Sequence, residues 1–196
     1  MDLVANRVRS VMTTLEARDA ADRIDGTPQA ERLRAIRPEV GQLLVTLIVA
    51  TGARTIVEVG TSSGYSSLHL ASGARQTGGR VVTFDIDPAK VELAARTFAA
   101  AGVDDVVELR HADGLAGLDA FAGRADLVFI DAEKGDYLGA LGPAIEALRP
   151  GGLLVADNLT SHEADLAGFR DAALGDRRLV GLVVPIGRGE LVAVRL

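Results

Sequence analysis

The 196-residue chain contains no cysteine and no tryptophan, and aromatic residues make up only 4% of it. Without cysteine there is no disulfide, no zinc–thiolate centre, no iron–sulfur cluster and no thiol nucleophile. Three histidines, His69, His111 and His162, lie far apart in sequence, which argues against a histidine-built zinc site. An excess of positive charge is missing too. Lysine and arginine number 21 against 27 aspartates and glutamates, for a formal net charge of -6, so no broad nucleic-acid surface is expected. The N-terminus, Met1-Asp2-Leu3, shows neither a basic nor an apolar leader region. The longest apolar run near it, Leu43 to Ala50, is too short to span a bilayer. These absences predict a cytoplasmic protein without membrane or nucleic-acid partners.

What is present suits a globular α/β domain. Hydrophobic residues reach 48% and charged residues 24%, and a chain of this length can bury about 70% of its unfolded surface. The expected organisation is a single domain over 1–196, with an N-terminal helical cap at 1–52 and a core at 53–196. Residues 3 to 24 carry Leu3, Val4, Val8, Val11, Met12 and Leu15 at helical spacing. A short helix is predicted over 28–35, and Pro38 opens another that ends at Gly52. Strands and helices then alternate. Strands are predicted at 55–59, 81–84, 106–109, 126–130 and 153–156, and helices at 65–71, 88–101, 115–121, 137–148 and 163–174. Two last strands, about 179–185 and 190–195, form a hairpin. The alternation predicts a doubly wound, mostly parallel, seven-stranded sheet covered on both faces and closed by one antiparallel strand.

In such sheets ligands bind beyond the carboxyl ends of the strands, so the residues following each strand are the candidates. Strand 1 runs into Glu58-Val-Gly60-Thr61-Ser62-Ser-Gly64-Tyr65-Ser66. Gly60 and Gly64 let a ligand approach the backbone, but the three-glycine dinucleotide fingerprint is absent. Asp85 ends strand 2, where a carboxylate can accept both hydroxyls of a ribose, while Asp87-Pro88 reads as a helix cap. Asp113 either accepts from an adenine amino group or caps the next helix. Strands 4 and 5 run into Asp131-Ala-Glu-Lys134 and Asp157-Asn158. If these strands are neighbours, about 4.8 Å apart, two carboxylates and an amide oxygen can reach one hard divalent cation, magnesium foremost. Lys134 follows Asp131 by three residues. Beside a divalent cation its charged form is disfavoured, and a neutral lysine can serve as general base. His69 reads as packing or surface, His162 as surface, and His111 as a backbone contact to a cofactor.

At these residues the chain resembles the cation-dependent class I S-adenosylmethionine O-methyltransferases, the family of catechol and caffeoyl-CoA O-methyltransferases. The resemblance runs from about Ile36 to Leu196 and is strongest in Glu58–Ser66, Phe84–Pro88, Val128–Lys134 and Leu148–Asn158. It implies a Rossmann-like fold, S-adenosylmethionine as methyl donor, and a divalent metal (magnesium, manganese or calcium). It implies cofactor contacts from Ile36, Glu58, Gly60, Thr61, Ser62, Gly64, Ser66, Asp85, Ala112, Asp113 and Asp131. It further implies Asp131, Asp157 and Asn158 as metal ligands, Lys134 as base, a vicinal phenolic diol as acceptor and a homodimer as assembly. Three features depart from the family. The stretch from Asn158 to Pro185 is short where a substrate loop is usual, the N-terminal region is brief, and Glu133 stands where the animal catechol enzymes carry an aromatic residue beside adenine. The competing expectations are a nicotinamide-dependent oxidoreductase and a non-catalytic cofactor-binding protein.

Overall fold

Seven strands share one sheet in the computed structural model, which describes residues 5–196. The elements in chain order are α1 (Asn6–Asp22), α2 (Pro38–Thr51), β1 (Thr55–Val59), α3 (Tyr65–Thr77), β2 (Arg80–Asp85), α4 (Pro88–Ala101), β3 (Val107–His111), α5 (Gly114–Leu118), β4 (Ala125–Ile130), α6 (Tyr137–Ala147), β5 (Leu148–Ala156), α7 (Glu163–Gly175), β6 (Leu179–Val184) and β7 (Glu190–Arg195). The sheet order is β3-β2-β1-β4-β5-β7-β6, with β7 antiparallel to its neighbours and the other six strands parallel. The Rossmann-like sheet expected from the alternation is therefore the one observed.

The central strands are mostly apolar because both faces are covered, with Glu58 and Thr83 as buried polar exceptions. Alternate residues feed alternate layers. Ile56, Val81, Phe129 and Val155 join the core under α1 to α4. Val57, Val82, Val128 and Leu154 join the core under α5 to α7. The same packing aligns the carboxyl ends of β1, β2, β4 and β5, so their following loops open on one edge.

Four local readings change. Over 28–35 there is a single 3₁₀ turn, Gln29–Glu31, followed by extended chain. Side chains capture the backbone donors a helix would use: Leu33 N donates to Asp22 Oδ2 (3.1 Å) and Ala35 N to Asp19 Oδ1 (3.1 Å). Pro38 also holds Arg37 extended, at ψ 146°. Helix α3 runs six residues beyond the expected Ala71, to Thr77, because Ser72, Gly73 and Ala74 are buried against α2 although they carry little apolar signal. Helix α6 stops at Ala147, and β5 already begins at Leu148, pairing with Ala125. The register then shifts, so that Leu127 faces Leu153, and Pro150-Gly151-Gly152 lies inside the strand as an irregularity. The expected helical residues Leu3 and Val4 lie outside the described residues.

Candidate active site

A cleft of about 810 Å³ opens beyond the ends of β1, β2 and β4, where the strand order reverses beside β1. Gly60, Ser62, Asp85, Asp113 and Asp131 stand on its walls. A narrow recess leads off it between Ile36, Thr61, Ser66 and Asp131. Most residues expected to contact cofactor thus share one space. Glu58, Gly64 and Ala112 are not on its walls.

The β1–α3 turn is built by close approach. A Cβ on Gly60 would lie 2.2 Å from the Asp131 carbonyl oxygen, and its φ of +100° suits glycine alone. Gly64 (φ +84°) presses on the Phe98 ring, where a Cβ would sit 2.6 Å away. It shapes the turn rather than lining the cleft. Asp85 ties the turn to the next strand: its Oδ2 accepts from Ser62 N (2.8 Å) and its Oδ1 from Asp87 N (3.0 Å). Each oxygen keeps a free lone pair for a hydroxyl. Asp87 accepts from Ala89 N (2.8 Å), which makes it the cap of α4. Asp113 accepts from Leu115 N (2.9 Å) and so caps α5, while still bordering the cleft. Glu58 is fully buried below the turn and accepts from Ser67 Oγ. Burial pushes its carboxyl up to about 7, against the pull of hydrogen bonds from Ser66, Ser67 and Thr83.

The other half of the site rests on β4 and β5 being neighbours, which they are: Ile130 pairs with Ala156, and Asp157 N donates to Ile130 O (3.1 Å). Asp131 and Asp157 therefore emerge side by side. Asn158 Nδ2 donates to Asp131 Oδ1 (2.9 Å), and Asn158 N donates to Asp157 Oδ1 (2.5 Å). The positive φ of Asn158, 78°, is one that asparagine tolerates. Burial first, and the Asp157 carboxylate second, push Asp131 up to about 6, against the attraction of the Lys134 ammonium. Lys134 Nζ lies 3.6 Å from Asp131 Oδ1. It donates to Ala132 O (3.2 Å) and to Tyr137 OH (3.4 Å), and sits 4.9 Å from the Tyr137 ring centre. Tyr137 is buried and donates to Asp157 O (3.1 Å), so it links the base candidate to the β5 end.

This donor set fits a hard divalent cation. Two like charges held side by side in a buried place call for a counter-charge, and the Asn158 amide can turn its oxygen toward Asp131. Among the described residues no group of three or more His, Cys, Asp or Glu side chains is placed to hold a metal. The fit therefore rests on two carboxylates and one amide, with the remaining positions left to water or acceptor oxygens.

Glu190, at the start of β7, was not anticipated. It is fully buried and its side-chain oxygens have no hydrogen-bond partner. Burial and the adjacent Asp157 carboxylate push its carboxyl upward, toward the neutral form. The signal available was topological: an antiparallel last strand begins at the edge where the parallel strands end, and a glutamate opening the run Leu191-Val-Ala-Val194 is out of pattern. Arg34 was missed as well. It crosses the cleft mouth to pair with Glu133, the residue standing in place of an aromatic. The three histidines are peripheral. His69 is buried in α3, edge-on to Tyr65 at 5.1 Å between ring centres, and burial lowers it to about 4. His111 Nε2 meets Ile86 O (3.2 Å), and His162 Nδ1 meets Ser161 Oγ (3.0 Å).

Comparison with known proteins points in one direction. Residues 26–168 match the family model described as O-methyltransferase. A protein from Mycolicibacterium vanbaalenii that bears an O-methyltransferase name is 38% identical over 176 residues, covering 82% of this chain and 77% of its own. An O-methyltransferase from Bacillus cereus, solved in complex with SAH, superposes with a TM-score of 0.79 at 27% identity, over 95% of this chain and 91% of its own. The Streptomyces achromogenes O-methyltransferase TomG, involved in tomaymycin synthesis and solved with SAM, gives 0.77 at 26% identity over 98% and 99%.

Proposed function

The chain belongs to the O-methyltransferase family, and on that premise we propose that it transfers a methyl group from S-adenosylmethionine to one hydroxyl of a vicinal phenolic diol, assisted by a divalent cation. Family membership sets aside the nicotinamide-dependent reading. The observation that carries the finer proposal is the set Asp131, Asp157, Asn158 and Lys134, brought together at two adjacent strand ends, with Asp131 on the wall of the cleft.

Asp85 accepts hydroxyl protons of the ribose with the lone pairs its backbone donors leave free. Ser62, Gly60 and Thr61 present backbone close to the methionine end, and Ile36 and Ser66 close the recess there. The acidic wall formed by Asp85, Asp113, Glu133 and Asp136 favours a positively charged cofactor. Asp131, Asp157 and Asn158 would hold the cation, which would supply Lewis-acid activation of the acceptor hydroxyl. Lys134 takes the hydroxyl proton at Nζ. Tyr137 and the Ala132 carbonyl orient that amine. The protein's largest contribution is to hold acceptor oxygen and methyl donor in line.

A screen of diol and single-hydroxyl acceptors with S-adenosylmethionine, run with magnesium and with EDTA, tests the reading. Methyl transfer only to diols and only with the cation is the expected result. Undiminished transfer in EDTA overturns the cation role, and cofactor binding without transfer to any acceptor makes this a non-catalytic binder.

A further inference from the structure

Next to the segment that follows β5 stands a positive charge that has no use in the reading above. Arg188 lies half-buried in the β6–β7 turn. Its carbonyl accepts from Thr160 N (2.8 Å), Ser161 N (3.2 Å) and Thr160 Oγ1 (2.6 Å), and the next carbonyl, of Gly189, accepts from Leu159 N (2.9 Å). Gly187 and Gly189 flank it at φ +59° and +85°, and a Cβ on Gly189 would come within 2.4 Å of Thr160. The turn is thus clamped onto the segment that directly follows Asp157 and Asn158, and the root of the Arg188 side chain is fixed there.

Among the described residues the Arg188 guanidinium makes no hydrogen bond and no ion pair within 4 Å. Its charge nevertheless reaches Asp131 and Glu190, drawing both carboxyls downward. Arg37, likewise without an ion pair, runs beside the same turn: a Cβ on Gly187 would lie 3.6 Å from Arg37 Cβ. Arg34, by contrast, is already paired with Glu133. Arg188 and Arg37 therefore stand together beside the segment that follows β5, neither with a carboxylate partner among the described residues. A half-buried guanidinium with five unused donors is a poor place to leave a charge unless a ligand supplies the acceptors.

We propose that Arg188, with Arg37 beside it, is a specificity-determining residue that pairs with a carboxylate on the acceptor. The inference rests on the methyltransferase reading of the site and narrows its substrate class to aromatic diols that also carry an acid group. A guanidinium matches a planar carboxylate with two parallel hydrogen bonds. A monoanion is favoured over a phosphate dianion because Asp131 and Asp157 are close by and would repel the second charge.

The test pairs a carboxylated aromatic diol with its neutral counterpart, measuring kcat/KM for each with wild type, Arg188→Ala and Arg188→Lys. Wild type should prefer the carboxylated diol. Arg188→Ala should lower that preference by about 10- to 100-fold, mostly through KM, the range expected for losing a charge-assisted pair. Arg188→Lys should retain part of it, and Arg37→Ala should lower it by a smaller factor. Equal losses on both diols would assign Arg188 to supporting Asp131 and overturn the proposal, as would a wild type indifferent to the carboxylate. If neither diol is methylated, the diol reading fails on its own. Calorimetric titration of the carboxylated diol into wild type and Arg188→Ala then still decides the matter: affinity that depends on Arg188 supports the carboxylate site, and affinity that does not refutes it.

Discussion

The two halves of the cleft use carboxylates in opposite ways. At the ends of β2 and β3, Asp85, Asp87 and Asp113 each accept at least one backbone N–H and lie toward solvent. They are satisfied before any ligand arrives, and what they keep is spare lone pairs directed at hydroxyls. At the ends of β4, β5 and the start of β7, Asp157 and Glu190 are buried with the half-buried Asp131 beside them, and Asp131 and Glu190 are pushed toward their neutral forms. On the proposed reading, the first half is ready for the ribose of the cofactor. The second carries an electrostatic cost that a cation would relieve. Neighbouring loops on one sheet edge can thus be ready in one place and charge-starved in another, and the starved half is where chemistry is expected.

The sharpest way to break this contrast is to withhold the cation. EDTA should abolish turnover, and magnesium or manganese should restore it; Asp157→Ala should remain inactive at ordinary metal concentrations. Cofactor affinity, measured by calorimetry, should change little in either case, because the first half needs no metal. Full activity in EDTA would erase the distinction.

Lys134→Met comes next. Loss of a general base should cost about 10² to 10⁴ in turnover, with cofactor affinity hardly moved. More acidic acceptors should recover part of the rate. A flat, near-wild-type series against acceptor pKa would remove Lys134 from the mechanism.

Asp85→Ala probes the preorganised half and should lower S-adenosylmethionine affinity at least about tenfold, the value of one charge-assisted hydrogen bond or more. Metal affinity, followed with manganese, should stay as it was. An unchanged cofactor affinity in the folded variant would rule the ribose contact out.

The smallest effect separates burial from function. His69 is shifted by burial as the acceptor half is, yet borders no part of the cleft. Its pKa is about 4 folded against 6.5 as a free side chain. The folded state then binds fewer protons than the unfolded one between those values, so stability is complete above pH 6.5 and falls as pH drops toward 4. On acidification from pH 7 to pH 4.5, wild type should lose more unfolding free energy than His69→Gln, measured by denaturant titration, by about 2 kcal/mol. Parallel curves for the two proteins would show that burial at this position shifts nothing.

Much of this was legible in advance because parallel strands and their loops write local signals. Apolar runs of four to six residues located β1, β2 and β4, and Pro88 and Gly102 bounded α4 at both ends. The residues Asp85, Asp131 and Asp157 were recognisable because each directly ends a strand. The extended segment before α2 was not legible, since its conformation depends on Asp19 and Asp22 reaching back from α1. The early start of β5 was hidden behind Pro150-Gly151-Gly152, a sequence that reads as a break and instead lies within an irregular strand.

The sequence by itself determined the order of strands and helices, the polar residue at every strand end and the family, because these depend on spacing along the chain. Which strand ends are neighbours was decided only by the tertiary structure. Hydrophobic packing of two helical layers placed β4 beside both β1 and β5, and folded β7 back between β5 and β6. That placement sets Glu190 beside Asp157, 33 positions away, and lays the β6–β7 turn at Arg188 against Thr160 and Ser161. No local signal encodes such separations, because burial and charge become properties of a site only when distant segments close around it.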